Sequence, residues 1–265
     1  MTDTTINPYR RIFSSVLESI PDVIDRMAWD VRPASRRSRR ALRSVRSKYS
    51  GQTAVIMCNG PSLNKVDFQL LNGVFTFGLN KINLLFERTD FRPDAIVSIN
   101  RHVIEQNRDF FSKTDIPLFL SSKSEKLVVT GENVIYLHTA HQKKFATDVS
   151  MSVAEGGTVT YVALQLAFHL GFQRVGRVGC DHSFASAGRA NSSIIAGAVD
   201  KDHFDPRYFS NGVTWQLPDL DSSEIAYILA RSAFAAAGRE LVNCTVGGRL
   251  DVFPRRTLCE FIAGE

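Results

Sequence analysis

The sequence lacks the patterns that mark several large classes of protein. Its 265 residues contain no run of 18 apolar residues, and the first stretch, MTDTTINPYRR, is not apolar, so we expect neither a transmembrane helix nor a secretory signal. Neither G-x-G-x-x-G nor G-x-x-x-x-G-K-[ST] occurs, and no motif therefore predicts a dinucleotide site or a P-loop. H-x-E and HExxH spacings are also missing, and we expect no metal site.

Cysteine is scarce and scattered. The four cysteines have no C-x-x-C spacing and lie far apart, at Cys58, Cys180, Cys244 and Cys259. Such a pattern is typical of buried free thiols rather than of disulfides or zinc ligands. We therefore expect four buried thiols and a cytoplasmic protein.

Basic charge is concentrated in one part of the chain. The net charge is +5, and residues 1–50 hold 11 Lys and Arg against 5 Asp and Glu. The remainder is close to neutral, whereas a nucleic-acid enzyme usually carries a basic face on its folded domain. We expect no nucleic-acid partner, and we divide the chain into a basic amphipathic helical arm at 1–50 and a folded domain at 51–265.

The arm combines an apolar helical pattern with a basic segment. Apolar residues recur at three- and four-residue spacings over 8–31, which predicts an amphipathic helix broken into two at Pro21. Eight basic residues and no acid follow in 32–48. The arm either packs on its own domain or a partner, or contacts an anionic membrane from the inner face through residues 1–48, with Trp29 at the interface.

From residue 53 onward, strand patterns alternate with helical patterns. The predicted strands are 53–58, 74–79, 95–99, 117–121, 133–137, 174–179 and 240–244. The predicted helices are 62–72, 81–87, 101–113, 158–170, 222–237 and a short one near 256–263. This alternation predicts an α/β fold with a Rossmann-like, doubly wound, mostly parallel sheet. Ligands of such sheets bind beyond the carboxyl ends of the strands.

The stretch TAVIMCNGPSL is the first strand-to-helix junction. Its turn consists of Asn59, Gly60, Pro61 and Ser62, and proline and serine are both favoured where a helix begins. The unpaired N–H groups of such a junction suit an anion. The turn therefore predicts an anion site without naming the anion.

Uncharged polar residues follow the next strands as well. Asn80 ends the second predicted strand, Asn100 ends the third, and Asp181, His182 and Ser183 follow the sixth. Each asparagine alone is a common turn residue. Together they predict a rim of donors and acceptors that suits the base, ribose and phosphate of a nucleotide.

A glycine pair opens the most apolar helix. Gly157, Thr158 and Thr160 stand at the start of TVTYVALQLAFHLGF. The glycines permit close backbone approach to a ligand and the threonines offer hydroxyls. A plain tight turn is the alternative.

The long segment 181–219 has little regular pattern and is predicted to be a lid. Its reactive and aromatic residues are Asp181, His182, Asp202, His203, Asp205, Tyr208 and Trp215. Histidine is a natural general base near neutral pH, so we expect His203 or His182 to act as one.

Several of these motifs resemble a known group of enzymes. CNGPSL, FGLN, SIN, GGTVTYVALQLAFHLGF and GCDHSF, over about residues 50–258, are similar to bacterial sialyltransferases that use a CMP-sugar donor. They are still more similar to a related hydroxymethylpterin diphosphokinase-like group of surface-polysaccharide gene clusters, which the NCTVGG and VFPR tail also resembles.

The resemblance implies roles for particular residues. Asn59, Asn80 and Asn100 would hold a cytidine nucleotide, and Tyr208 would stabilise the departing phosphate. The threonine-serine-glycine helix start of the sialyltransferases is matched only in part, because Val159 stands in place of the serine.

The predicted function is transfer of a sugar from a nucleotide donor, preferably a CMP-sugar, to a cell-surface glycan, with no further cofactor required. The first alternative is pyrophosphoryl transfer from ATP to a hydroxymethylpterin, which needs Mg²⁺ and acidic ligands such as Asp181, Asp202 and Asp205. The second alternative is a non-catalytic nucleotide-binding scaffold of polysaccharide assembly. The donor sugar and the oligomeric state stay open.

Overall fold

A computed structural model describes residues 8–264 apart from 129–130, 141 and 187, and it describes side chains from residue 20 onward. Residues 1–7 of the predicted arm lie outside the described residues. The strands are β1 Thr53–Met57, β2 Phe75–Leu79, β3 Ala95–Ser98, β4 Leu118–Ser121, β5 Val134–Leu137, β6 Thr139–Ala140, β7 Val153–Ala154, β8 Arg174–Val178, β9 Ser193–Ile195, β10 Thr214–Gln216 and β11 Glu240–Asn243. The α-helices are α1 Pro8–Val31, α2 Pro33–Ser44, α3 Arg101–Gln106, α4 Arg108–Phe111, α5 Val159–Leu170, α6 Leu220–Ala236 and α7 Leu258–Ala263.

Seven strands form one parallel sheet in the order β11-β8-β1-β2-β3-β4-β5. They are the seven strands that the sequence predicts, and the α/β fold with a doubly wound sheet is confirmed. The chain runs outward from β1 to β5 and then returns to β8 on the other side of β1. The order therefore reverses between β1 and β8, which makes their carboxyl ends the topological switch point of the sheet.

Alternating side chains of the strands build a core on each face of the sheet. Along β1, Ala54 and Ile56 belong to one buried cluster, together with α5 and α6. Val55 and Met57 belong to the other cluster. A strand covered on both faces explains why β1 is apolar at consecutive positions.

Helix α1 contradicts the predicted break at Pro21. It runs from Pro8 to Val31 with Pro21 inside it, and the break comes at Arg32, where the backbone is extended before Pro33. Trp29 is 2% exposed and belongs to the core, so its predicted place at a membrane interface is also wrong.

Helix α2 packs along the edge strand β5. The Ser38 hydroxyl accepts a hydrogen bond from the Tyr136 backbone N–H at 3.0 Å, and Arg37 donates to the carbonyls of Gly131 and Val134. Leu42 lies in the core. These contacts cover a sheet edge that would otherwise expose backbone donors and acceptors, and they join this part of the predicted arm to the sheet.

The predicted helix 62–72 is two short 3-10 helices, Pro61–Lys65 and Phe68–Leu71. The Asp67 side chain accepts from the Gln69 backbone N–H and restarts the helical turn. The first junction therefore lacks an α-helix, and the dipole that an α-helix would direct at an anion is missing there.

The predicted lid is a folded layer over the carboxyl edge of the sheet. It contains the antiparallel pair β9 and β10, and Gln106 of α3 donates to the Thr214 carbonyl. The Phe204 backbone N–H donates to the carbonyl of Asn59 at 2.9 Å. The segment is thereby hydrogen bonded to the first strand-end turn.

Two further findings concern membrane-spanning helices and the state of the cysteines. No described helix is long and apolar enough to cross a bilayer. All four cysteines are free, but Cys259 is exposed, so the expectation of four buried thiols is wrong at that position. Cys259 lies in α7, whose Leu258 and Phe261 occupy the buried face.

Candidate functional site

A cavity of about 330 Å³ opens at the switch point, between the sheet edge and the layer formed by 181–219. All of the predicted site residues except Pro61 and Ser62 line this cavity. The predicted residues that line it are Asn59, Gly60, Asn80, Asn100, Gly157, Thr158, Thr160, Asp181, His182, Ser183, His203 and Tyr208. Its volume lies in the range of small-molecule sites, roughly 300–1,000 Å³. The fold thus brings together residues that are far apart in the chain.

The two exceptions, Pro61 and Ser62, are not part of the cavity lining. The Ser62 hydroxyl donates to Asp181 Oδ2 at 2.8 Å, and the Ser62 backbone N–H donates to the same oxygen at 3.1 Å. A Cβ on Gly60 would lie 2.1 Å from that oxygen, so glycine is required there. The anion that this turn holds is therefore a carboxylate of the protein.

Three asparagine side chains stand at the ends of β1, β2 and β3. Asn80 Oδ1 accepts from the Ser98 hydroxyl at 3.0 Å, and Asn100 Oδ1 caps α3 by accepting from the His102 backbone N–H at 2.9 Å. Asn59 is 9% exposed, and its Oδ1 has no hydrogen-bond partner among the described residues. Because a buried amide oxygen without a partner is costly, Asn59 is a strong candidate for a ligand contact.

The first turn of α5 forms another part of the lining. Thr158 caps the helix by accepting from the Thr160 backbone N–H, and Gly157, with φ of +73°, brings the chain into this cap. The N–H groups of a first helical turn have no partner within the helix and carry a partial positive charge. Unlike the first junction, α5 is a twelve-residue helix, and its start suits a phosphate.

His203 is paired with a carboxylate that the sequence reasoning missed. Its Nδ1 lies 2.8 Å from Asp200 Oδ2. Burial raises the pKa of Asp200, but hydrogen bonds from His203 and from the backbone of Asp202 and Phe209 outweigh it and hold the pKa below its usual value. An ionised Asp200 only accepts, so Nδ1 carries a proton, and in the neutral ring the lone pair is on Nε2.

The sequence contains a signal for this pair, because Asp200 precedes His203 by only three residues and short spacing allows the two side chains to meet. No hydrogen bond to His203 Nε2 is found within the described part of the chain, and the imidazole lines the cavity. The pair therefore has the geometry of an oriented general base.

Tyr208 supports the imidazole ring. Its phenol ring lies parallel to His203 at a centroid distance of 4.0 Å. Burial raises the pKa of Tyr208 far above its usual value, although a hydrogen bond with the Asn80 side chain opposes the shift. The phenol therefore stays protonated and is a hydrogen-bond donor at neutral pH.

Lys81 lies behind this stack. Its ammonium donates to the Tyr208 carbonyl at 2.6 Å and to Gln106 Oε1 at 2.8 Å, and it lies 4.8 Å from the Phe209 ring centroid. Burial lowers the pKa of Lys81 to about 8, and the charge of Asp200 opposes that shift. Lys81 is thus a positioning residue for the Tyr208–His203 stack.

His182, the other predicted base, has a different partner. Its Nε2 lies 3.0 Å from the carboxylate of Glu224 on α6, and its backbone is left-handed with φ of +52°. It lines the same cavity as His203, and its ring centroid lies 6.2 Å from that of Tyr227. The carboxylate of this pair is half exposed, whereas Asp200 is buried.

The carboxylates proposed for Mg²⁺ each bind a different protein group. Asp181 accepts from Ser62, Asp202 accepts from Ser186 at 2.7 Å, and Asp205 forms an ion pair with Arg207 at 2.9 Å. Across the described residues, no group of three or more His, Cys, Asp or Glu is placed to hold a metal ion. These three aspartates do not converge on one point.

The cavity lining contains no lysine or arginine among the described residues. Two cations lie behind the lining. Lys81 is behind the Tyr208–His203 stack, and the buried Arg177 lies 3.7 Å from the Phe253 ring centroid and donates to Cys180 Sγ at 3.8 Å. A hydrogen bond from Cys58 lowers the pKa of the Cys180 thiol to about 6 despite its burial, and Arg177 acts in the same direction. Arg177 and Cys180 are thus in contact behind the cavity lining.

Comparison with models of known protein families identifies the family of this chain. The model of the family described as 6-hydroxymethylpterin diphosphokinase MptE-like matches residues 35–187, more than half of the chain. The chain belongs to the MptE-like family. The match includes Asn59, Asn80 and Asn100 and ends before Asp200 and His203. The predicted membership of a hydroxymethylpterin diphosphokinase-like group is confirmed.

Comparison with individual proteins adds information about the fold. No curated protein matches this MptE-like chain. The structure of the MAf glycosyltransferase from Magnetospirillum magneticum AMB-1 aligns over 84% of the MptE-like chain and 38% of its own, with a TM-score of 0.50 and 14% identity. The MptE-like chain thus corresponds to well under half of that protein. What the two proteins share is the fold.

Proposed function

We propose that this MptE-like protein is a glycosyltransferase that uses a CMP-linked sugar as donor and a glycan hydroxyl as acceptor. The observation that carries the proposal is the Asp200–His203 pair in the wall of an amide-lined cavity. The fold similarity to the MAf glycosyltransferase agrees with it.

The donor assignment follows from the charge of the lining. A CMP-sugar carries one phosphodiester charge, whereas a nucleoside diphosphate sugar or ATP carries two or more. The start of α5 provides partial positive charge for one phosphate, and no lysine or arginine lines the cavity among the described residues. Asn59, Asn80 and Asn100 supply neutral contacts for the cytosine and ribose.

The reaction is a direct displacement in which His203 is the base. The acceptor oxygen forms a bond to the anomeric carbon while its proton passes to His203 Nε2. The bond between the anomeric carbon and the phosphate oxygen breaks, and CMP leaves with the electron pair. The phenol of Tyr208 and the start of α5 stabilise the charge that develops on the phosphate.

Calorimetry with CMP, UDP, GDP, ATP and a pterin tests the donor class. We expect CMP to bind at least about tenfold more tightly than the diphosphates, which is about 1.4 kcal/mol. Preferred binding of UDP or GDP would overturn the CMP assignment. Binding of CMP without release of CMP from any CMP-sugar would support the scaffold alternative.

The family description favours a second candidate, pyrophosphoryl transfer from ATP to a hydroxymethylpterin. That reaction needs Mg²⁺ to neutralise the phosphates, and the three candidate aspartates are engaged elsewhere. Formation of AMP from ATP and a hydroxymethylpterin, abolished by EDTA, would establish this candidate. Transfer from a CMP-sugar that is unaffected by EDTA would exclude it.

A further inference from the structure

The second half of α1 presents an apolar stripe to solvent. Its five members are 46% to 69% exposed and follow the helical spacing i, i+3, i+4, i+7 and i+11, at Ile20, Val23, Ile24, Met27 and Val31. That spacing places them on one side of the helix. Trp29, on the opposite side, is buried against the domain, so the stripe faces away from the folded core.

One of the acids on this half of α1 is neutralised by the protein. Asp30 forms ion pairs with Arg26 at 3.1 Å and Arg39 at 2.7 Å. Asp25 lies 3.5 Å from the imidazole of His138, but burial lowers the pKa of His138, so this imidazole does not compensate the Asp25 charge at neutral pH. Asp22 is the third acid in this stretch. The positive charge of this surface is therefore supplied by α2.

Helix α2 continues this surface with unpaired positive charge. Arg36, Arg40 and Arg43 are exposed, and within the described part of the chain none of them has an ion pair or a side-chain hydrogen bond. With Arg39 they line a surface concavity of about 370 Å³. The buried side of α2 carries Ser35, Ser38 and Leu42 instead. This basic face belongs to a helix held rigidly against β5.

We propose that the stripe of α1 and the basic face of α2 together dock the protein on an anionic lipid bilayer. An apolar helix face beside arginines lies in the headgroup region with its apolar side chains buried and its cations on anionic lipid. Self-association through the stripe is the competing occupant, but a second copy would bring more arginines and no counter-charge. Anionic phosphate groups supply that charge.

The site of insertion differs from the one that the sequence indicates. Trp29 packs in the core, and Ile24 and Met27 occupy the exposed positions instead. The docking inference does not depend on which sugar donor the cavity takes.

Vesicle flotation of the full chain tests the proposal. We expect flotation with vesicles of phosphatidylcholine and phosphatidylglycerol, little with phosphatidylcholine alone, and weaker binding as salt rises. Ile20→Glu/Ile24→Glu and, separately, Arg36→Ala/Arg40→Ala/Arg43→Ala should each reduce partitioning by roughly tenfold or more. All five side chains are exposed, so circular dichroism and melting temperature should stay at wild-type values.

Matched variants on other surfaces are the controls. Ile225→Glu/Ile228→Glu changes two exposed isoleucines of α6, and Arg101→Ala/Arg108→Ala/Arg189→Ala removes three exposed arginines elsewhere. Both should float like the wild type. Failure of the wild type to float would overturn the proposal that the two helices form one docking surface. A loss of flotation in only one of the two test variants would overturn it as well. A dimer in light scattering that Ile20→Glu/Ile24→Glu dissociates, without lipid binding, would identify a second copy as the occupant.

Discussion

The imidazole of His203 and the phenol of Tyr208 lie parallel, with planes 1° apart and centroids separated by 4.0 Å. The stack holds the imidazole by its face, while the hydrogen bond from Nδ1 to Asp200 holds it by its edge. Lys81 donates to the carbonyl of Tyr208 and fixes the residue that forms the stack. Nε2 is therefore the one ring nitrogen left to act on a substrate, and this arrangement leads to the first prediction.

Removing the imidazole should slow catalysis without removing the nucleotide site. We expect His203→Ala to lower the rate of CMP release from a CMP-sugar by roughly 10²–10⁴-fold. Asp200→Asn should also reduce it, because the imidazole loses the carboxylate that fixes its tautomer. Calorimetry should show CMP affinity within a few-fold of the wild type in both variants.

His182→Ala is the matched control for this prediction, since His182 also pairs with a carboxylate beside the cavity. We expect it to keep most of its turnover. A large loss in His182→Ala with full activity in His203→Ala would reverse the assignment of the base.

The unpartnered amide of Asn59 makes a prediction about affinity. Asn59→Ala should weaken CMP binding by about 1–3 kcal/mol, the usual effect of leaving a buried polar partner without its hydrogen bond. Titration calorimetry measures this directly. Asn83→Ala, whose amide oxygen accepts from Asn107, should bind CMP normally, and wild-type affinity in Asn59→Ala would remove Asn59 from the site.

Asn100 needs a different substitution, because its Oδ1 caps α3. Asn100→Asp keeps the capping oxygen but replaces the amide donor with a carboxylate oxygen. We expect stability within about 0.5 kcal/mol of the wild type and a CMP affinity at least about tenfold lower. Equal affinity, measured by the same calorimetry, would mean that Asn100 acts only as a cap.

Ser62 should affect stability rather than binding. Ser62→Ala removes the hydroxyl that donates to Asp181, and a hydrogen bond to a charged group contributes about 1.5–3 kcal/mol. Urea unfolding should show that loss, with CMP affinity unchanged. Weaker CMP binding at unchanged stability would restore Ser62 as a ligand contact.

Lys81 predicts a specific pH dependence of stability. Its pKa falls from 10.5 to about 8 in the fold because of burial, so the unfolded state binds more protons between these values and the free energy of unfolding should rise there. Burial of the charged Lys81 ammonium destabilises the folded chain fully below about pH 8. This destabilisation disappears as the pH rises toward 10.5. Lys81→Met removes this destabilisation together with the two hydrogen bonds of the ammonium.

The difference between wild type and Lys81→Met isolates this group from other titrations. We expect it to change by roughly 3 kcal/mol between pH 8 and 10.5, because each unit of the pKa difference between 10.5 and about 8 corresponds to about 1.36 kcal/mol. A difference that stays constant over this range would mean that Lys81 titrates normally in the fold. Chemical unfolding at a series of pH values provides the measurement.

Local pattern was sufficient for the framework of this protein. Short apolar runs separated by helical spacing predict all seven strands of the main sheet, because a strand buried on both faces must be apolar at consecutive positions. The same reasoning places Asn59, Asn80 and Asn100 on one edge, since parallel strands end on the same side. Most of the cavity lining follows from this geometry.

Tertiary packing decided what the pattern left open. Asp181 follows β8 and lies 119 residues beyond Ser62 in the chain, and only the pairing of β8 with β1 brings its carboxylate onto the NGPS turn. The sequence could identify an anion-binding turn but not that the anion was its own. The burial of Trp29 was also decided by tertiary packing, because only the packing of α1 on the domain determines which side of the helix is buried.

The sequence by itself determined the sheet, the strand-end amides and the basic segment at 32–48, since each follows from the local spacing of residue types. The tertiary structure alone decided that Asp181 occupies the first turn and that α1 turns its apolar stripe outward. Both features depend on which distant segments meet. Contacts of that kind come from the packing of the whole domain, which local periodicity does not encode.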